Sequence, residues 1–161
     1  MIWQANQDAL PEPLRSLVAG FPLCITFPVQ WGEMDAYRHV NNVVYFRYFE
    51  NARAAYFRAI GWSDIEANTG VGPILASAEC RFRRALRYPD MVTVGIRVIP
   101  PLDEDRFTME FRVVSHELAA IAAEGKGVIV GYHYGRMCKA PLPVELRQRI
   151  AQLENWTNPP Q

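Results

Sequence analysis

Cysteine is scarce in this chain. Cys24, Cys80 and Cys138 are three in 161 residues, odd in number and far apart. That argues against a disulfide framework and a zinc cluster, and it fits a reducing compartment. Net charge is absent as well. Seventeen basic residues balance seventeen acidic ones, which argues against nucleic-acid or anionic-membrane partners. No uninterrupted apolar stretch is long enough to span a bilayer. The N-terminus lacks the basic region and apolar run of a signal peptide. The expectation is a cytoplasmic protein. No P-loop, dinucleotide fingerprint or nucleophile elbow occurs. His116 and His133 have no partners at metal-ligand spacing, so no metal and no cofactor is expected. There is no repeat, low-complexity segment or domain linker.

Apolar residues are plentiful, at 50% of the chain. That is enough for one domain with a core of its own. Residues 1–20 read as a short extension punctuated by Pro11 and Pro13, in which Leu14, Leu17 and Val18 can form one apolar helical turn. Residues 21–161 read as the single domain. In 23–31, Ile25, Phe27, Val29 and Trp31 alternate as in a half-buried strand. Pro28 lacks a ladder donor, so that strand is expected at an edge or unpaired on one side there. Tyr45, Phe49, Ala52, Tyr56 and Ile60 then repeat at helical spacing, opposite Arg47, Asn51 and Arg58. Phe46, Tyr48 and Phe57 widen that stripe, so the helix is expected to be largely enclosed. Asn41 or Asn42 suits its N-cap and Gly61 its end.

Four strand-like runs follow, at 74–83, 92–98, 107–113 and about 120–134. The first alternates Ile74, Ala76, Ala78, Cys80 and Phe82 against Leu75, Ser77, Glu79, Arg81 and Arg83. The last has Ala123, Gly125, Gly127 and Gly131 on one face, which would let a helix approach closely. Tyr88-Pro89-Asp90 reads as a turn. VELRQRIAQL near the end reads as a short helix. Consecutive strands with short connections favour an antiparallel sheet, here wrapped around the long helix.

The chemistry concentrates between Trp31 and Gly61. Asp35, His39, Asn41 and Asn42 stand just ahead of the helix. A carboxylate can attack a carbonyl or activate water. The free N–H groups of a helix start carry positive potential and suit an oxyanion. The plainer readings are an Asp that shapes a turn, a His bonded to backbone and an Asn that caps the helix. Glu50 and Arg53 have the spacing of a helical ion pair, with Glu50 a reserve candidate for a catalytic carboxylate. Arg81, Arg83, Arg84 and Arg87 form a dense basic patch, either a solvated strand edge or a seat for phosphates.

These residues resemble a known family. WGEMDAYRHVNNVVYFRYFENAR, RFRRALRYPD and MCKAPLPVELRQRI are similar to segments of the hotdog-fold acyl-CoA thioesterases of the 4-hydroxybenzoyl-CoA thioesterase type, over roughly residues 23–150. The resemblance implies an α+β hotdog fold, a five-stranded antiparallel sheet around one central helix. It implies a homodimer or homotetramer, with active sites at the subunit interface. It implies hydrolysis of an acyl-CoA thioester, with Asp35 as the catalytic carboxylate, the Asn42 N–H as oxyanion donor and His39 beside them. Asn41, Tyr45, Arg81, Arg83 and Arg84 are the candidate substrate-binding residues. The HVNN form is closer to the aliphatic thioesterases than to the aromatic-specific ones. Tyr37 stands where the related plant acyl-carrier-protein thioesterases have an Asn, so their catalytic network is not expected. A hotdog hydratase would need a D-x-N-P-x-H pattern, and this chain lacks its Asn and Pro. A non-catalytic acyl-CoA-binding protein of the same fold is the other alternative.

Overall fold

The computed structural model describes residues 3–4 and 7–157. The chain runs through β1 (Trp3–Gln4), α1 (Leu14–Leu17), β2 (Leu23–Pro28), α2 (Asn42–Ala59), α3 (Trp62–Thr69) and β3 (Val71–Phe82). It continues through β4 (Met91–Ile99), β5 (Arg106–Ser115), β6 (Ala120–His133), β7 (Cys138–Lys139) and α4 (Val144–Leu153). The strands form one antiparallel sheet in the order β1-β2-β4-β5-β6-β3, with β7 added to β6. Five long strands, β2 to β6, carry the expected sheet, and the two-residue strands extend it. Among the described residues β1 pairs only with Ile25 and Thr26, so Pro28 has a ladder partner on the β4 side alone.

The helix α2 lies across the inner face of this curled sheet. Its apolar stripe is the one the spacing marks out, for Tyr45, Phe49, Ala52, Tyr56 and Ile60 are all buried. Tyr48 joins them, with its ring edge-on to Phe27. Each such ring is worth roughly 1.5–3 kcal/mol when fully buried. The close approach needs small residues on β6. A Cβ on Gly125 would stand 2.4 Å from the Phe49 ring and 2.7 Å from the Glu79 carbonyl oxygen. Gly131, by contrast, makes room for the Ala140 carbonyl in the closing segment rather than for the helix.

The enclosure is incomplete. Val43, Phe46, Arg47, Glu50 and Ala54 leave one side of α2 open, and β3 beside it is largely exposed. The reason is topological, because β3 is an edge strand bonded to β6 alone. The face assignment along β3 also changes. The ladder skips Ala76, passing from Leu75↔Ile129 to Ser77↔Val128. That bulge puts Leu75 on the same side as Ala78 and Phe82, where unbroken alternation would have put Ile74.

Two further features complete the fold. Gly61 ends α2 in the left-handed conformation, φ +63°, and α3 follows at once. It buries Trp62, whose indole N–H donates to the Val71 carbonyl at 3.0 Å. The N-terminal segment is no loose appendage over its described part. Leu14, Val18 and Phe21 pack with Cys24 and Val114 on the outer face of the sheet. The Arg97 and Arg112 guanidinium groups lie 4.9 and 5.1 Å from the Phe21 ring centre, a stacking that favours planar cations.

A half-buried carboxylate follows α4. The Tyr56 hydroxyl and the Val98 N–H both donate to Glu154 Oε1, each at 2.6 Å, tying the chain end to α2 and β4. Burial outweighs these bonds and raises the Glu154 carboxyl above its ordinary range. The folded chain then binds that proton more tightly than the unfolded chain. Its stabilising contribution is full in acid and is lost as pH rises from the ordinary carboxylate range through the raised folded value. Glu154→Gln keeps an Oε1 acceptor and cannot ionise. Its stability relative to the wild type should increase as pH rises above the ordinary carboxylate range, measured by urea unfolding as a function of pH. A constant difference would show that the carboxyl does not titrate differently on folding.

Candidate active site

The loop between β2 and α2 is built around Asp35. Its Oδ1 accepts the Tyr37 N–H at 2.8 Å and the His39 N–H at 3.3 Å. The Asp35 N–H donates to the His39 carbonyl at 2.8 Å, and the Arg38 N–H to the Asp35 carbonyl at 3.0 Å. Arg38 sits at φ +61° within this tight turn. Asp35 therefore does shape a turn, as the plainer reading has it, but with one oxygen. No hydrogen bond involves Oδ2 among the described residues, and the side chain is only half-buried.

The helix start is ordered by Asn41. Its Oδ1 accepts the Val43 N–H at 3.1 Å and its carbonyl accepts the Val44 N–H at 2.9 Å. Asn41 is thus the N-cap, with φ −58° and ψ 139°, and its side chain is engaged in capping. The Asn42 N–H, first in the helix, has no acceptor among the described residues, as helix geometry dictates for that position.

Asp35, His39, Asn42 and Tyr45 line one open cleft of about 310 Å³ together with Val40, Phe82, Arg83, Arg84 and Ala85. Tyr45 forms part of its wall. Its hydroxyl accepts the Leu86 N–H at 3.3 Å and its ring stands edge-on to Phe82. His39 faces Arg87, with Nε2 3.1 Å from a guanidinium nitrogen. A guanidinium only donates, so Nε2 is the acceptor in this contact.

The arginine patch is divided between two sites, and of its members only Arg81 lies within β3. Arg84 lies at the cleft. Arg83 reaches it too, but its guanidinium pairs with Glu124 at 3.1 Å. Arg81 lines a charged groove on the outer face with Arg97, Arg112 and Lys126, away from Asp35. Glu50 is also elsewhere. It is exposed, 3.8 Å from Arg53, on the open side of α2. There Val43, Phe46, Phe49, Leu75, Ala78 and Phe111 line an apolar groove of about 360 Å³. Among the described residues no group of three or more His, Cys, Asp or Glu could hold a metal ion, and no helix is long and apolar enough to cross a membrane.

Sequence reasoning passed over Glu33. It is buried, 8% exposed, and its carboxylate accepts from the Gln30 N–H at 2.9 Å, the Tyr48 hydroxyl at 2.5 Å and the Arg47 guanidinium. The capping-box spacing between Gln30 and Glu33 was the available signal. Burial, with the charge of Glu33 and its hydrogen bond behind it, pushes the Tyr48 hydroxyl far above the usual phenol range. It therefore remains a donor.

A carboxylate, an unspent helix-start amide and a cleft between them suit attack on an activated carbonyl. Residues 29–150 match the description of the thioesterase-like superfamily. The chain belongs to that superfamily. A Thermus thermophilus thioesterase, crystallised with coenzyme A and zinc, is 33% identical, with a TM-score of 0.75 over 87% of this chain and 99% of its own. A thioesterase-superfamily protein of Jannaschia sp. CCS1 is 26% identical, with a TM-score of 0.77 over 91% and 93%. A Staphylococcus aureus protein in complex with coenzyme A shares the fold at 14% identity, with a TM-score of 0.74 over 82% and 83%. The fold is the hotdog fold, and this thioesterase is a thioester hydrolase.

Proposed function

We propose that this thioesterase cleaves acyl-coenzyme A to a carboxylic acid and free coenzyme A, with Asp35 and the Asn42 N–H as its reacting groups. The observation that carries this reading is their presence in one cleft. The Asp35 carboxylate either takes a proton from a water that attacks the thioester carbonyl, or attacks it directly to give an anhydride that water then opens. In both routes the carbonyl oxygen becomes an oxyanion, which the Asn42 N–H stabilises, and the thiolate leaves and is protonated. Arg84 and Arg83 are the cations at the cleft that suit the phosphates of coenzyme A. That two of the structural neighbours hold coenzyme A supports this substrate class. The apolar groove beginning at Val43, the residue after Asn42, suits an aliphatic acyl chain.

The same groove and the free edge of β3 are the surfaces on which a second copy of this chain would pair, giving a homodimer or homotetramer. Three free cysteines, of which Cys138 is exposed, fit a reducing compartment such as the cytoplasm. Purified protein should release thiol from members of an acyl-CoA series of graded chain length, and light scattering should give the mass of a dimer or tetramer. Tight acyl-CoA binding with no thiol release from any member would instead favour a binding protein.

A further inference from the structure

We propose that Glu33 is a positioning residue that holds the Asp35 carboxylate and the Asn42 amide in one fixed arrangement. This rests on the reading of those two groups as the reacting ones. The Asp35 turn is internally bonded, so its shape is local, but its place relative to the helix start must be set from outside. Glu33 does this from both ends. Its carboxylate draws Arg47 and Tyr48, in the first two turns of α2, onto the loop. Its carbonyl accepts the Asn41 N–H at 2.9 Å, fixing the cap that immediately precedes Asn42. Asp35 follows only two residues later, a span of at most about 7 Å.

Only a carboxylate serves here. Three donors converge on it, one a guanidinium and one a backbone N–H, and an acceptor-only group with several lone pairs satisfies them together. A neutral amide at the same place presents one acceptor oxygen and turns two hydrogens toward groups that are themselves donors. The side chain is buried and is not among the residues that line the cleft, so its effect on the reaction is exerted through Asp35 and the helix start.

The test compares the wild type, Glu33→Gln, Tyr48→Phe and Asp35→Asn by steady-state thiol release and thermal unfolding, assaying well below each Tm. Expected for Glu33→Gln is a fall in kcat of about 10- to 100-fold, the scale of a small misplacement of reacting groups, with KM within about threefold. Tyr48→Phe should fall in the same direction by less. A folded Glu33→Gln with wild-type kcat overturns the inference. So does a loss shared equally between kcat and 1/KM that tracks the fall in Tm, since that marks general loosening. If Glu33→Gln does not fold, Tyr48→Phe decides, and its unchanged kcat overturns the inference. The parent reading fails separately, through a wild type that releases no thiol or an Asp35→Asn that retains full activity, and the inference falls with it.

Discussion

Asp35→Asn should lower kcat by ~10²- to 10⁴-fold, the contribution of a positioned acid–base group, while leaving the protein folded. The substitution separates two roles that one side chain fills. Asn retains an Oδ1 that can accept the Tyr37 and His39 N–H groups, so the turn is kept. It loses the charge, and a neutral amide neither takes a proton from water nor attacks a thioester. Thermal unfolding should stay within about 2 °C of the wild type, as for a half-exposed site with its bonds intact. Asp35→Ala removes the acceptor too and should cost a further ~1–2 kcal/mol, the net worth of two hydrogen bonds. Initial rates of thiol release and circular-dichroism melting curves measure both. Full activity in the Asn variant, with loss only in the Ala variant, would reduce Asp35 to a turn-former.

The parts of this fold that are legible in the sequence are those in which a residue's partner lies at a fixed local spacing. The stripe from Tyr45 to Ile60 states the helix and its buried face. The alternation of Val92, Val94, Ile96 and Val98, fully or almost fully buried, states a strand. The helix start and the carboxylate before it are likewise local, and so is the cap supplied by Asn41. What stays hidden depends on contacts between distant segments. The helix α3 has no ordinary cap, since it begins at a left-handed Gly61, and it offers only Trp62 and Ile65 as buried anchors. The bulge at Ala76 exchanges the faces of β3 without a glycine or proline to mark it. Phe21 is held by Arg97 and Arg112, which lie more than seventy residues away. Glu33 was least visible of all, because a carboxylate is buried only where donors converge. Two of its three come from the helix it faces. The arginine run shows the opposite error. Arg81 belongs to β3 while Arg83, Arg84 and Arg87 lie in the loop that follows it, so a dense patch in the text is split between a cleft and a groove on the outer face of the sheet.

The sharpest probe of the oxyanion donor is a residue that lacks the N–H altogether. Asn42→Pro should lower kcat by ~10²- to 10³-fold, the typical cost of deleting one such donor. Proline is normally a destructive choice in a helix, but Asn42 is the first helical residue, where the missing N–H breaks no helical bond and the fixed φ suits the helix. The preceding residue must be extended for proline to fit, and Asn41 already is, at φ −58° and ψ 139°. Its cap to the Val43 N–H does not involve Asn42 and should persist. The helix should therefore survive, with far-ultraviolet circular dichroism unchanged. Asn42→Ala supplies the control. It keeps the N–H and removes only an exposed side chain, so its kcat should remain within about threefold of the wild type, the span allowed for a surface change. An inactive Ala variant would move the function from the backbone amide to the Asn42 side chain. A fully active Pro variant would remove this amide from the mechanism and leave the oxyanion to another donor.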